Sequence, residues 1–261
     1  MSLTQEQQQA KQAFERSGST WNPAWDSLLR LDPGFVEAYA GFAAVPWQKN
    51  HLENKVKAFI GIAACAAATH LFQPGIHEHL RIAIAHGATR EELTEVLELI
   101  STVGIHASNV GVPVLLEVLE EEGMRDGPRP FDARREALKA SFIENRGYWH
   151  PSWEGLLELD PELFEAYVGF SSVPWRTGVL SPLVKELMYC AFDAAATHLY
   201  VPGLKLHMRN ALRYGGTAEQ LMEMLEIVSV IGIHGALVAA PMLEQALNEA
   251  ASQHPTQPES T

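Results

Sequence analysis

The stretch VKAFIGIAACAAATHL, residues 56–71, is rich in alanine and apolar nearly all the way round a helix. A helix without a polar face must be covered by the rest of the protein, so this stretch predicts a buried central helix. The stretch VKELMYCAFDAAATHL, residues 184–199, follows 128 positions later and ends in the same six residues, AAATHL. The sequence therefore predicts two related central helices, one in each half of the chain.

The repeat extends far beyond these two helices. An ungapped shift of 128 residues aligns 21–117 with 149–245, and 45 of the 97 aligned pairs are identical. A period of this length indicates two copies of a whole small domain rather than a solenoid. We expect repeats at 1–121 and 132–250, joined by a Gly-, Pro- and charge-rich linker at 122–131 and followed by a disordered tail at 251–261.

Both copies have helical periodicity, and neither contains a convincing strand. Thr89 with Glu92, and Thr217 with Gln220, have the spacing of capping boxes at helix starts. Further helix starts are indicated where an N-cap residue precedes a proline, at Asp32, Asp160 and Ser181. Breaks between helices are indicated by Pro-Gly pairs and single glycines, at Pro74–Gly75, Pro202–Gly203, Gly87 and Gly215. The predicted fold is all-α, with two tandem helical bundles.

Composition excludes several classes of protein. Hydrophobic residues make up 47% of the chain and charged residues 20%, which is typical of a globular protein and not of a disordered one. The net charge is −13 and no basic cluster is present, so we expect neither nucleic acid nor a membrane as a partner. Two cysteines cannot form a disulfide framework, and a cytoplasmic location is expected.

Three histidines recur at matching positions of the two copies: His70 and His198, His79 and His207, and His106 and His234. They are candidates for buried packing residues, for metal ligands, or for general acid–base groups. Their intervals of nine and 27 residues match no compact metal-ligand spacing, so we expect no metal.

A second candidate feature is a difference between the copies. Glu186, Cys190, Asp193 and Thr197 fall on one face of the second central helix, and the corresponding face of the first copy has no carboxylate. A buried carboxylate is costly unless it is paired or used. Three interpretations of the two carboxylates remain open. They form a structural ion pair with Lys185, Arg209 or a histidine, or they provide an acid–base group beside His207 and His198, or this face of the helix is solvated.

The sequence resembles the carboxymuconolactone decarboxylase family, which includes the AhpD-like alkyl hydroperoxidases. The resemblance rests on KEL at 185–187, GLKLHMRNAL at 203–212 and GGTAEQLMEMLE at 215–226, with matching stretches in the first copy. The hydroperoxidases carry a Cys-x-x-Cys pair, and its positions fall near Tyr200 and Gly203, where there is no thiol. Dithiol exchange needs two adjacent sulfurs, so this activity is disfavoured.

The resemblance implies a decarboxylase that acts without a cofactor on a small carboxylated lactone in the degradation of protocatechuate-type aromatics. It implies His207 as the proton carrier, Glu186 as its orienting partner, and one competent site per chain, in the second copy. His198 would complete the catalytic set, and the expected substrate contacts are Arg209, His234, Asp193 and Trp175. It further implies a homotrimer of tandem chains, a pseudo-hexamer. The alternative is a non-catalytic binding or assembly module.

Overall fold

The structure, a computed structural model, describes residues 3–16 and 21–253, apart from the side chain of residue 146. Within these ranges it contains helices and no strand, which confirms the all-α prediction. The part of the expected tail from 254 onward lies outside the described residues. The α-helices are α1 (Gln5–Arg16), α2 (Ala24–Leu31), α3 (Pro33–Gln48), α4 (Asn54–Ala66), α5 (Gln73–Ala85), α6 (Arg90–Ser101), α7 (His106–Glu121), α8 (Ala133–Arg146), α9 (Glu154–Leu159), α10 (Pro161–Ser171), α11 (Val173–Thr177), α12 (Pro182–Ala194), α13 (Val201–Arg213), α14 (Ala218–Ser229) and α15 (Ile233–Gln253), with 3-10 turns at Thr102–Ile105, Pro151–Trp153 and Val230–Gly232.

The helix boundaries follow the predicted caps. Both capping boxes form, at Thr89 before α6 and at Thr217 before α14. Gly87 and Gly215 have φ angles of +80° and +86°, and they end the preceding helices in the left-handed region that favours glycine. The two Pro-Gly pairs lie in the first turns of α5 and α13, not between helices as predicted. A proline in the first turn needs no N–H donor, so it begins these helices.

The central helices are α4 and α12, and α4 is buried from Val56 to Cys65. They end at Ala66 and Ala194, five residues before the end of the repeated apolar stretch, because the chain turns back on itself there. The N–H of Phe72 donates to the carbonyl of Cys65 (2.9 Å), and Tyr200 donates equivalently to Asp193 (2.9 Å). His70 and His198 therefore lie in turns. Thr197 is exposed and does not extend the buried face of α12.

The two repeats share one core and are not separate bundles. The central helices pack against each other and against α6 and α14. Each repeat's last long helix also packs on the other repeat's first helices. Thus α15 lies against α2, and its Ile233 and Leu237 share one buried cluster with residues of α1 and α2. In the same way α7 lies against α9 through Val112.

Two buried ion pairs join the repeats inside this core. The Lys57 Nζ lies 2.8 Å from Glu223 Oε1, and the Lys185 Nζ lies 2.7 Å from Glu95 Oε1. All four side chains are at most 2% exposed. Each lysine also donates to a backbone carbonyl, Lys57 to Pro46 and Lys185 to Pro174. The pairs are related by the 128-residue shift, and each takes its lysine from one repeat and its glutamate from the other.

Removing one member of a buried pair should destabilise the fold strongly. We expect Lys57→Met to lower the free energy of unfolding by about 3–5 kcal/mol, because Glu223 would remain as an uncompensated buried charge. The double variant Lys57→Met/Glu223→Leu should recover most of this loss. Urea unfolding followed by circular dichroism measures both. The exposed pair of Arg134 and Glu165 provides the control, since Arg134→Met should leave the urea midpoint unchanged. Wild-type stability in Lys57→Met would contradict the prediction.

Candidate active site

Each repeat has a pocket beside the end of its central helix, and each pocket includes residues of both repeats. The second-repeat pocket is the cavity lined by Tyr189 of α12 and by Tyr200 and His207, together with His106 and Asn109 of α7 in the first repeat. Aromatic side chains of α8 and the following turn, Phe142 and Trp153, close it from another side. The first-repeat pocket is the related cavity lined by Trp47, Gly61, Phe72 and His79, with His234 of the second repeat.

His207 lines the second-repeat pocket, and Glu186 contacts it from behind. The Glu186 carboxylate is 1% exposed, and its Oε2 lies 2.6 Å from His207 Nδ1. Asn210 Nδ2 donates to the other carboxylate oxygen (3.3 Å), and the Tyr189 ring packs on the imidazole at 4.5 Å between centroids. Because a carboxylate accepts hydrogen bonds, the proton of a neutral His207 belongs on Nδ1. Nε2 is then the ring nitrogen available for proton transfer.

His106 and His198 form a second contact between the repeats. His106 Nδ1 lies 2.6 Å from His198 Nε2, and Tyr200 stacks on His106 at 4.1 Å between centroids. Burial lowers the pKa of His106 to about 3, and the neighbouring His198 and His207 contribute to this shift. Burial also lowers the pKa of His198. Both rings are therefore neutral in the folded protein at neutral pH.

Asp193 is a fully buried carboxylate without a hydrogen bond to its side chain among the described residues. The Nδ1 of His106 lies 3.6 Å from Oδ1 of this carboxylate. Gly203 packs directly over the carboxylate, because a Cβ there would lie only 2.5 Å from Oδ2. Burial raises the pKa of Asp193 to about 7; His207 opposes this shift and Glu186 adds to it.

The first-repeat pocket has different chemistry. Ala58 and Cys65 replace the two carboxylates, so His79 has no acceptor like Glu186. Its ring instead lies against Gly61, where a Cβ would be 2.4 Å away, and its buried Nδ1 has no hydrogen-bond partner among the described residues. Burial lowers the pKa of His79 to about 4. His70 and His234 repeat the contact between imidazoles at 2.8 Å.

The structure brings some of the expected site residues together and separates others. His207 lines the second-repeat pocket, and the other three lie behind residues that line it: Glu186 contacts His207, Asp193 lies against Gly203, and His198 contacts His106. His234 lies elsewhere, in the first-repeat pocket, because α15 packs against the helices of the other repeat.

Two more expected substrate contacts do not line this pocket. Trp175 contacts Tyr189 instead of the cavity and donates to its hydroxyl (3.1 Å). Arg209 is exposed. The pKa of His150 is lowered mainly by burial of its ring and, second, by the positive charge of Arg209. Lys185 pairs with Glu95, so the expected alternative in which it pairs with a carboxylate of its own helix is wrong.

Several pocket residues were not among the predicted site residues. Tyr189, Tyr200 and Asn109 line the cavity, and their counterparts 128 positions away are Gly61, Phe72 and Leu237. The same comparison between copies that singled out Glu186 would have found them. His106 was known as a recurrent histidine, but only the packing of the repeats shows that it belongs to the second-repeat pocket.

The fold and the site define a class of all-α proteins in which two tandem repeats share a pair of histidine-containing pockets. The carboxymuconolactone decarboxylase family matches residues 33–114 and 161–245, and the chain belongs to this family. The chain is also similar to a crystal structure from Burkholderia xenovorans LB400 described as a "putative gamma-carboxymuconolactone decarboxylase subunit". The two share 67% identity and a TM-score of 0.89, over 94% of this chain and 98% of that one. No curated protein matches.

His79 should make the folded protein sensitive to acid. Its pKa is about 4 in the folded state and about 6.5 in the unfolded state. The unfolded state therefore binds more protons between these values, and stability is lost as the pH falls through this window. The free energy of unfolding should fall between pH 7 and pH 4.5 in the wild type. We expect this fall to be smaller in His79→Gln, by on the order of 2 kcal/mol.

Urea titrations across this pH range measure the effect. The control is His86→Gln, at an exposed position of the same repeat, which should leave the pH dependence unchanged. Other buried histidines, His106 and His234, keep part of the acid sensitivity in every variant. Identical pH dependence in His79→Gln and the wild type would rule out this explanation.

Proposed function

We propose that the protein is a lyase that decarboxylates a small carboxylated lactone of the γ-carboxymuconolactone type, and that the second-repeat pocket is its active site. The observation that carries this proposal is the buried Glu186–His207 pair, 2.6 Å apart, at the wall of a cavity. The family and the name of the similar crystal structure support the type of reaction. The degradation of aromatic compounds and a cytoplasmic location are part of the proposal.

The pair fits the proton transfer that a decarboxylation needs. When the bond to the carboxylate breaks and CO2 leaves, its electron pair moves into the conjugated lactone, and the product carbon then takes a proton. His207 can carry this proton on Nε2, since Glu186 holds the ring by Nδ1. Asn210 in turn holds Glu186. The first-repeat pocket lacks this partner because Ala58 stands at the corresponding position.

Recognition of the substrate would rely mainly on aromatic walls and neutral donors. Phe142, Trp153 and Phe192 line the cavity and can pack against a flat ring, while Asn109 and Ser152 offer polar groups. No Lys or Arg is among the described residues that line it.

The cysteines argue against a hydroperoxidase. Cys65 and Cys190 are buried in different central helices. Burial raises the pKa of the Cys65 thiol to about 12 and also raises that of Cys190. A peroxide-reducing dithiol needs a reactive thiolate with a second sulfur beside it.

A homotrimer of tandem chains is the proposed assembly. Val110, Val114 and Val118 form an exposed apolar stripe on α7, and Val238 and Met242 repeat it on α15. Two equivalent stripes allow each chain to contact two neighbours, and three chains are the smallest closed ring that does so. The similar crystal structure carries the word "subunit" in its name.

The stretches that include these helices, Arg90–Glu121 and Ala218–Gln253, are also long and apolar enough to cross a membrane by length and composition. This is weak evidence, since core helices of soluble proteins pass the same test. Both stretches contain residues that pack in the shared core, Val96 in one and Met224 in the other.

Matched variants of the two repeats test the active site. We expect His207→Gln to lower kcat for γ-carboxymuconolactone by about 100-fold or more, and Glu186→Gln to act in the same direction. His79→Gln, the same change 128 residues earlier, should keep wild-type turnover because the first repeat lacks the glutamate. Loss of the lactone and release of CO2 are measured on variants with confirmed helical content. Equal losses in His79→Gln and His207→Gln would disprove the assignment, and an inactive wild type would reject this substrate.

Charged residues on the apolar stripes test the assembly. We expect the wild type to have three times the chain mass in size-exclusion chromatography with light scattering. Val114→Glu/Met242→Glu should shift it to a single chain, because a charge on each stripe cannot be desolvated in an interface. Met124→Glu, at a position 70% exposed in the linker, is the control and should remain trimeric. A monomeric wild type would refute the trimer.

A further inference from the structure

Three potential metal ligands meet beside the second-repeat pocket, and one of them, His106, lines it. His106, Asp193 and His198 each offer one ligand atom, and these atoms all lie within 4.8 Å of one another. Asp193 is 0% exposed and both of its carboxylate oxygens lack a hydrogen bond among the described residues. A buried carboxylate without donors is costly in the absence of a compensating charge, so a cation bound here would stabilise it.

We propose that His106, Asp193 and His198 bind a divalent transition-metal ion of the Zn²⁺ or Fe²⁺ class. Two imidazoles and one carboxylate are a donor set that such ions take in proteins when further coordination positions stay open. His106 lines the cavity, so the open positions would face it. The Nδ1 of His106 and the Nε2 of His198 are 2.6 Å apart. Two ligands at tetrahedral Zn–N distances lie about 3.3 Å apart, so a small movement of the rings admits the ion.

The chain order explains why this cluster is not visible as a sequence motif. Metal binding was not expected because the histidine intervals within one repeat match no ligand spacing. In the structure, however, one histidine comes from the first repeat and the other from the second, with Asp193 from α12. Spacing within a repeat therefore has no bearing on this site.

The first repeat is a natural comparison for the site. His70 and His234 make the same contact between imidazoles, but Cys65 takes the place of Asp193. Among the described residues, no second group of three His, Cys, Asp or Glu ligands comes as close together as this one. We therefore expect one ion per chain, at the pocket that contains the Glu186–His207 pair.

An ion at this position would supply the positive charge that the pocket otherwise lacks. It would neutralise Asp193 and offer open positions to an anionic group of a ligand, such as a carboxylate. The binding of a ligand's carboxylate to the ion rests on the proposed function, whereas the binding of the ion itself does not.

Titration with Co²⁺ tests the site directly. The full chain, prepared without a histidine tag and stripped with EDTA, is titrated with Co²⁺ while its visible absorption is followed, and bound metal is counted by elemental analysis. We expect one Co²⁺ per chain, displaced by Zn²⁺. Asp193→Asn and His198→Gln should each weaken binding by about 100-fold or more, because each removes one of three ligands. His70→Gln, the counterpart of His198→Gln in the first repeat, should leave both stoichiometry and affinity unchanged.

Three results would overturn the proposal of a metal site. No saturable Co²⁺ binding by the folded wild type, or wild-type affinity in both Asp193→Asn and His198→Gln, would overturn the proposal. So would a loss of binding in His70→Gln equal to that in His198→Gln. The titration contains no lactone, so its result does not depend on whether the protein is a decarboxylase. If Asp193→Asn does not fold, His198→Gln decides the result, since it replaces a partly exposed residue in a turn.

Discussion

The reciprocal ion pairs at the centre of the molecule determine how its two halves fit together. Lys57 and Lys185 are long cationic side chains inside an apolar core, and each finds its glutamate only on the other repeat. Desolvation of four charges is compensated only when all of them meet with good geometry and further hydrogen bonds. Alternative arrangements of the two repeats would leave charges unpaired. The pairs therefore favour the observed arrangement, in which the central helices pack against each other and each repeat completes the other.

The composite pockets follow from this arrangement. Because the repeats exchange equivalent contacts, the histidine that begins the last long helix of one repeat meets the histidine in the turn of the other. This occurs twice, as His106 with His198 and as His70 with His234. A duplicated chain thus obtains two similar frameworks from one packing solution. Side chains that differ between the copies then give the two frameworks different chemistry. Tyr189 opposite Gly61 and Glu186 opposite Ala58 are such differences.

Local features of the fold could be predicted from the sequence, whereas contacts between the repeats could not. Thr89 and Thr217 cap helices as predicted, because a capping box involves residues only three positions apart. The central helices are buried as predicted, but they end five residues early, at a turn stabilised by backbone hydrogen bonds that composition does not indicate. Glu186 and His207 lie on consecutive helices, and their proximity follows from the hairpin of α12 and α13. His234 was assigned to the wrong pocket because its position depends on which repeat α15 packs against.

The two carboxylates of α12 show how burial and partners divide chemical roles along one helix. Glu186 has a ring nitrogen and an amide as partners, so both of its carboxylate oxygens are hydrogen-bonded within the protein and it can orient an imidazole. Asp193, seven residues further on, has neutral histidines near it and no donor to its oxygens among the described residues. Its charge must be removed by a proton or balanced by a cation. Two residues of the same chemical type, two turns apart, therefore differ in what they can do: the first is fixed as a partner for proton transfer, and the second is open to whichever positive species enters the pocket.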